Sequence, residues 1–316
     1  MKAEDKNGAG ISPEAQGETR PLGRKISRKK FLGLCGAGAA VAACAGVASW
    51  ARWGETSRLT FSEIDISVPE WAGTNNSARF VVASDFHIAP DEAPRLDAIV
   101  AAMRAQSADA FLLLGDFYKG VRHGESLPID GIVRGLMPLL DSAPAFACLG
   151  NHDAYFDNRR TADALNSGGI KTFFPEGAEI FTTRRGEKIV IAGTLDADTY
   201  SPENIALPKI PAGAEKLPAV LISHSPDIVE NLKERNDFLL TLCGHTHGGQ
   251  VCLPGGQAIV TSTRCVGLKY VYGMNDAPGG KGKIFTTRGL GTALASFRLF
   301  CPPEILIVNL KAPKIL

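Results

Sequence analysis

The sequence carries almost no net charge. Across 316 residues, 34 Lys and Arg face 33 Asp and Glu, for a formal charge of +1. That balance offers no broad basic field to a polyanion and no acidic tail, so nucleic-acid binding is not indicated. Cysteine is sparse, with 7 residues and no Cys-x-x-Cys pair, which argues against a disulfide-held mini-protein or a zinc ribbon. No stretch repeats at a solenoid period. Apolar residues still make up 45% of the chain, which marks a globular rather than a disordered protein. The length allows one or two domains. Histidine is also scarce, at 6 residues, and its placement says more than any bulk property.

One stretch lacks charge altogether. No charged residue occurs from Phe31 to Ala51, a mildly hydrophobic run rich in Ala and Gly. A basic cluster precedes it, made of Arg24, Lys25, Arg28, Lys29 and Lys30, and residues 1–23 before that have no apolar period. A disordered lead, a basic region and an apolar region form the pattern of an export signal. The segment Ser27-Arg28-Lys29-Lys30-Phe31-Leu32 resembles a twin-arginine signal, with Lys29 where the second arginine is expected. Three fates stay open. Ala43-Cys44-Ala45 offers a cleavage site, Val41-Ala42-Ala43-Cys44 resembles a lipoprotein box, and residues 31–51 left intact are long enough to span a bilayer. A buried core helix fits the run less well, because of its basic flank. That flank would stay cytoplasmic, placing residues 52–316 on the periplasmic or extracytoplasmic side. Of the later cysteines, Cys148 and Cys243 lie in apolar runs and read as buried thiols, whereas Cys252 and Cys265 could pair across a hairpin.

From residue 79 onward, short apolar runs alternate with helical patterns. Arg79–Ser84, Ala110–Leu114, Ala145–Leu149, Ala219–Ser223 and Phe238–Leu242 read as buried strands. Leu96, Ile99, Val100 and Met103 mark one helix, and Ile132, Val133, Leu136, Met137 and Leu140 another. Residues 180–183 and 188–192 read as a hairpin across Arg185-Gly186, and Ser225-Pro226 as the start of a helix. Residues 59–68 partly alternate, as an outer strand would, and 283–287 and 305–308 are further strands. Strands are expected to dominate after about residue 250. The expected architecture is α/β, with mixed sheets covered by helices.

Five strand ends carry metal-type donors. They are Asp85-Phe86-His87, Gly115-Asp116, Gly150-Asn151-His152-Asp153, His224 and His245-Thr246-His247, which together hold five of the six histidines. Loops at the carboxyl ends of strands are where open α/β sheets build sites. Singly, each motif has a plain explanation: a capped turn, a helix cap or a satisfied core histidine. In this order, each after an apolar strand, they point to one metal centre. Hydrolysis of a phosphate ester needs charge neutralised on the phosphoryl oxygens and a nucleophile made from water. Two cations about 3.5–4 Å apart supply both. Mixed Asp, Asn and His donors suit Mn, Fe or Zn, and a donor set without Cys is not that of a closed structural zinc site.

On these motifs the sequence resembles the calcineurin-like metallophosphoesterase family over nearly all of residues 78–310. The resemblance implies a four-layer αββα sandwich of mixed sheets and a dinuclear centre with a bridging hydroxide. It implies that Asp85, His87, Asp116 and His247 hold one divalent ion. Asp116, Asn151, His224 and His245 would hold the other, and His152 would protonate the leaving oxygen. The exported bacterial phosphodiesterases of the family are a closer match, through Gly244–Val251, Leu253-Pro254, Tyr270–Gly273, Thr287–Gly291, Arg298 and Pro303-Glu304-Ile305. Many members carry an Asp three residues after the bridging one, to support the catalytic histidine, where this chain has Lys119. Asp153, His123 or Lys119 itself could serve near the substrate, although His123 reads more simply as a loop residue and Asp196 as a turn. Arg288 and Arg298 are candidates for phosphate contact or for structural pairing.

The resulting expectation places residues 1–53 as lead and export signal or anchor, and 54–316 as a metallophosphoesterase domain. Its substrate would be a small phosphodiester. The alternatives are a membrane-associated pyrophosphatase of a lipid-linked nucleotide and a non-catalytic envelope-binding protein on the same fold.

Overall fold

The apolar runs pair into two sheets. The computed structural model describes residues 27–122, 124–234, 237–279 and 282–313, and it divides into a unit up to Gly46 and a unit from Val47 onward. In the first lies most of helix α1 (Arg28–Ser49), which buries no side chain. Phe31, Leu32, Leu34 and Val41 are exposed along it. Its alanines favour the helix, which tolerates several glycines. The helical stretch Arg28–Ser57 is long and apolar enough to cross a membrane, by length and composition. It ends in one wider turn (Trp50–Gly54) and a last turn, α2 (Glu55–Ser57).

Among the described residues of the second unit, twelve strands form two six-stranded sheets. The first runs β1 (Thr60–Ser67), β12 (Glu304–Lys311), β2 (Ser77–Ala83), β3 (Ala110–Leu113), β4 (Ala145–Ala147), β5 (Lys171–Thr172). The second runs β10 (Gly273–Asp276), β11 (Lys283–Thr286), β9 (Leu240–Cys243), β8 (Ala219–Ile222), β7 (Lys188–Gly193), β6 (Gly177–Thr182). Both are mixed. β2 to β5 are parallel, with β12 antiparallel to β2. In the second sheet β11, β9, β8 and β7 are parallel, and β10 and β6 are antiparallel edges.

Strand alternation explains why the central runs are apolar throughout: both faces are covered. Phe80, Val82 and Leu112 meet Ile191, Val220, Ile222 and Leu242 between the sheets. Val81, Phe111 and Leu113 point the other way, onto α3 (Ala93–Arg104) and α4 (Ile129–Leu136). Leu96, Ile99, Val100 and Met103 are the buried face of α3, as their spacing predicts. On the outer face of the second sheet, Ile228, Val229 and Leu232 of the short helical segment ending in α7 (Val229–Leu232) pack against Val190, Leu221 and Ile284. The layers are therefore helix, sheet, sheet and a thinner helical cover, and the fold is the expected α/β sandwich.

Some local expectations differ. Residues 250–272 are mostly irregular rather than strand-rich, with isolated bridges at Val251–Leu299 and Cys252–Ala258. Gly255 and Gly256 both take positive φ there, at 105° and 83°, which breaks a strand path. Cys252 and Cys265 do not pair: both are free, Cys252 buried and Cys265 exposed. Cys252 instead donates to the Gly248 carbonyl, as does Cys301. Cys148 and Cys243 are buried thiols, as expected.

Phe80 is fully buried between the sheets, 6.2 Å from the Phe181 ring. Phe80→Ala should cost about 3–5 kcal/mol, the range for a truncated core aromatic, read as a lower denaturant midpoint at unchanged slope. A shift under about 1 kcal/mol would show that the two sheets do not share this core.

Candidate metal centre

The parallel strands of both sheets release their chains toward one point. Beyond β2 come Asp85 and His87, beyond β3 Asp116, and beyond β4 Asn151 and His152. Beyond β8 comes His224, and beyond β9 His245 and His247. The backbone turns sharply at these ends. Asp85, His87, Asp116, His245 and His247 have φ of 55°, 44°, 54°, 68° and 51°, a left-handed region in which Asp and His are over-represented but still strained. Such strain persists only where surrounding contacts hold it, and it turns each side chain off its strand axis into the shared space. Two glycines allow the closest approaches. A Cβ on Gly150 would strike Asp116 Oδ1 and come within 2.8 Å of His224, and one on Gly289 would lie 2.6 Å from Asp85 Oδ2.

All seven expected donors meet there. His87 Nε2 lies 3.2 Å from His247 Nε2 and 3.5 Å from Asp116 Oδ2. His247 Nε2 is 3.4 Å from Asp85 Oδ1. On the other side of Asp116, His224 Nε2 is 3.2 Å from the same Oδ2, and His245 Nδ1 lies 3.0 Å from Asn151 Oδ1. Donor atoms fall within 4.8 Å of one another in each of three sets: Asp85–His87–His247, Asp85–Asp116–His224 and His87–Asp116–His152.

The tautomers fit a cation. His87 Nδ1 donates to the Tyr118 carbonyl at 2.8 Å, and His224 Nδ1 to the Leu114 carbonyl at 2.7 Å. A carbonyl only accepts, so Nε2 of each ring presents its lone pair inward when the ring is neutral. His245 Nε2 is buried with no hydrogen-bond partner, and His224 Nε2 faces only the Asp116 carboxylate, 3.2 Å away. Buried imidazole nitrogens beside two buried carboxylates are what a divalent ion would satisfy.

The electrostatics agree. Burial raises the Asp85 carboxyl above its usual range. Burial also pushes Asp116 upward, but His224, His87 and His152 overcome it and hold Asp116 well below the ordinary value. Burial drives His87 down to about 3 and drives His247 well down too, helped by His87 and by Arg298. His224 is depressed by burial but raised more strongly by Asp116, and it ends well above its usual value.

Other expected residues take different places. His152 donates its backbone N–H to Asp116 Oδ1 at 2.8 Å, and its Nδ1 to the Gly120 carbonyl at 2.7 Å. That carbonyl orients the ring. Lys119 lies 3.8 Å from Glu92. Asp153 does not support His152. Its carboxylate accepts from the N–H groups of Gly150, Asp116 and Phe117 at 2.9 Å, tying the β3 and β4 loops together. Burial and the neighbouring Asp116 push it up to about 7. Asp196 closes a turn with the N–H groups of Asp198 and Thr199. Neither arginine is free for phosphate. Arg288 pairs with Glu304 and stacks 4.3 Å over Tyr272. Arg298 is fully buried, bonded to the carbonyls of Gly291, Arg288 and Cys301, with Nη2 3.3 Å from His247 Nδ1. His123 lies outside the described residues.

Two carboxylates, an amide oxygen and four imidazoles gather at strand ends of a two-sheet sandwich, a set of donors that could hold divalent ions. The chain belongs to the calcineurin-like phosphoesterase family, whose model matches residues 78–249. It is 35% identical over 210 residues to the phosphodiesterase YaeI of Escherichia coli, spanning 65% of this chain and 71% of that one. It is 27% identical over 294 residues to an uncharacterized metallophosphoesterase, YkuE of Bacillus subtilis, across 92% and 99% of the two chains. Over 312 residues it is 26% identical to the UDP-2,3-diacylglucosamine pyrophosphatase LpxG of Chlamydia muridarum, across 82% and 92%. As a member of this family the chain is a metal-dependent phosphoester hydrolase.

Gly150→Ala should push Asp116 and His224 apart without touching the core. Isothermal titration with Mn is expected to show metal affinity reduced at least tenfold while the thermal midpoint moves by only a few degrees. Unchanged affinity would mean that the two side chains are not donors.

Proposed function

We propose that the protein is an exported phosphodiesterase that holds two divalent ions, drawn from Mn, Fe and Zn. Asp85, His87, Asp116 and His247 hold one, and Asp116, Asn151, His224 and His245 the other. The observation that carries this reading is the single Asp116 carboxylate, with imidazoles on it from both sheets. When bound, the ion pair neutralises charge on the phosphoryl oxygens and makes a water more acidic. The protein's own groups do the rest. Asp153 clamps the Asp116 backbone so that the shared carboxylate cannot drift. Gly120 fixes the His152 ring, and Nε2 is left to pass a proton to the departing oxygen. The phosphodiester reading is supported by the similarity to YaeI.

In this proposal residues 54–316 are the metallophosphoesterase domain and 1–53 the lead and signal. The basic cluster and the Phe31–Ala51 run support an extracytoplasmic position for the domain, anchored or cleaved. A reporter enzyme active only outside the cytoplasm, fused after residue 60 in a bacterial host, tests this. Activity is expected, and its absence would remove the export reading. A second reading, a pyrophosphatase of a lipid-linked nucleotide, is favoured by the similarity to LpxG. Turnover of such a pyrophosphate well above that of bis(p-nitrophenyl) phosphate would select it.

Asp116→Asn should abolish hydrolysis of bis(p-nitrophenyl) phosphate while circular dichroism stays native. His152→Ala should lower kcat for an alkyl ester by about 100- to 10,000-fold, the usual worth of a general acid. The loss should be far smaller for the p-nitrophenyl ester, whose leaving group needs little protonation. Equal losses on both esters would assign His152 to another role.

A further inference from the structure

Beside the metal centre a cleft of about 330 Å³ opens, and His87 is part of its wall. Its other walls come from far apart in sequence. Arg52 and Trp53 line it from the helical turn that follows the apolar run, Arg95 from α3, Lys119 from the β3 loop and Leu290 from the loop beyond β11. Three cations therefore surround a space that touches a metal donor. Glu92 is the one carboxylate in the lining; it lies 3.5 Å from Arg95 and 3.8 Å from Lys119, so the cleft keeps an excess of positive charge. Arg95 Nε is buried with no hydrogen-bond partner. Its Nη2 donates to the Phe86 carbonyl at 2.6 Å, which holds the guanidinium against the His87 loop.

The position of the Arg52 and Trp53 wall in the chain adds a second constraint. Arg52 directly follows Ala51, the last residue of the charge-free run. Trp50 and Trp53 are both exposed, and the Arg52 guanidinium sits 5.7 Å over the Trp53 ring. Exposed tryptophan with arginine, immediately after an apolar span, is the composition of a membrane–water interface. If the run spans the bilayer, chain connectivity keeps this wall at head-group level. The cleft volume is at the low end for small-molecule sites. It accommodates a phosphorylated head group and leaves a long tail outside.

We propose that this cleft is the substrate subsite for a membrane-resident amphiphile, an anionic phosphoester head group joined to a long alkyl tail. Arg52, Arg95 and Lys119 receive the charged head, Trp53 and Leu290 hold the first carbons of the tail, and His87 joins the cleft to the ions. The proposal rests on the phosphoester-hydrolase reading and adds the substrate class. It also makes the end of the helical segment part of the active site rather than a tether.

The test uses the full chain in detergent micelles with two p-nitrophenyl phosphodiesters, one methyl and one dodecyl. Wild type is expected to favour the dodecyl ester at least tenfold in kcat/KM. Trp53→Ala should bring that ratio close to one, and Trp53→Phe should restore most of it. Trp50→Ala is the control, since Trp50 is equally interfacial but bonds Glu55 and lies outside the cleft lining; it should keep the preference. Equal loss in Trp50→Ala and Trp53→Ala would reduce the effect to adsorption on the micelle and overturn the proposal, as would a wild-type ratio near one. Failure to cleave either ester would sink the phosphodiesterase reading instead. The subsite is then decided without turnover, on a Trp50→Phe, Trp71→Phe variant with Trp53 as its sole tryptophan. Quenching by a chain-brominated dodecyl phosphate, relieved by unbrominated dodecyl phosphate, supports the cleft, and absence of quenching rejects it.

Discussion

The Asp116 carboxylate sits where the two sheets deliver their chains. One oxygen accepts from the His152 amide at 2.8 Å, and the other lies 3.2 Å from His224 Nε2 and 3.5 Å from His87 Nε2. Taking a carboxylate wholly out of water is costly, and imidazoles or cations must offset that cost. The surrounding architecture meets the demand. His87 arrives from β2 and His224 from β8, so the first and second sheets must hold a constant separation and register. The core of Phe80, Leu112, Val220 and Leu242 sets that separation. Asp153, through its bonds to the N–H groups of Asp116, Phe117 and Gly150, sets the height of the β3 and β4 loops. A change in any of these would reach Asp116.

Much of this was legible because the chemistry is confined to strand ends. A buried parallel strand reads as an unbroken apolar run, and an Asp, Asn or His just beyond it stands out against that background. The buried face of α3 was equally plain, since Leu96, Ile99, Val100 and Met103 keep helical spacing. Three elements were not visible for physical reasons. Helix α6 (Asn158–Ser167) buries only Asn158, Thr161, Ala162 and Leu165, so its apolar stripe is too thin to read. β5 has two residues, and β10 is an edge strand with a largely polar sequence. Strands do prevail after residue 250, but they begin only at Gly273, since Gly255 and Gly256 bend the chain before it.

Within the site, the donors were readable and their supports were not. Asp153 adjoins His152 and looked like its partner; in the first turn of α5 (Asn151–Phe156) it points back to the loop amides instead. The group that replaces the missing Asp at position 119 is a main-chain carbonyl, Gly120, and no residue type announces a carbonyl. Arg298 looked able to bind phosphate, yet it is buried under the His247 loop, where carbonyls use its N–H groups. These supports depend on backbone geometry that spacing alone does not encode. The cleft behind His87 has the same origin, since its walls come from four distant stretches of chain.

The central claim is that one bridging carboxylate organises two ions. Crystals soaked with Mn, with anomalous diffraction collected at its absorption edge, test it directly. Two peaks about 3.5–4 Å apart, the spacing of two-metal hydrolases, should flank Asp116. One should lie beside Asp85, His87 and His247, and the other beside Asn151, His224 and His245. A single peak, or none with the fold intact, would contradict the account.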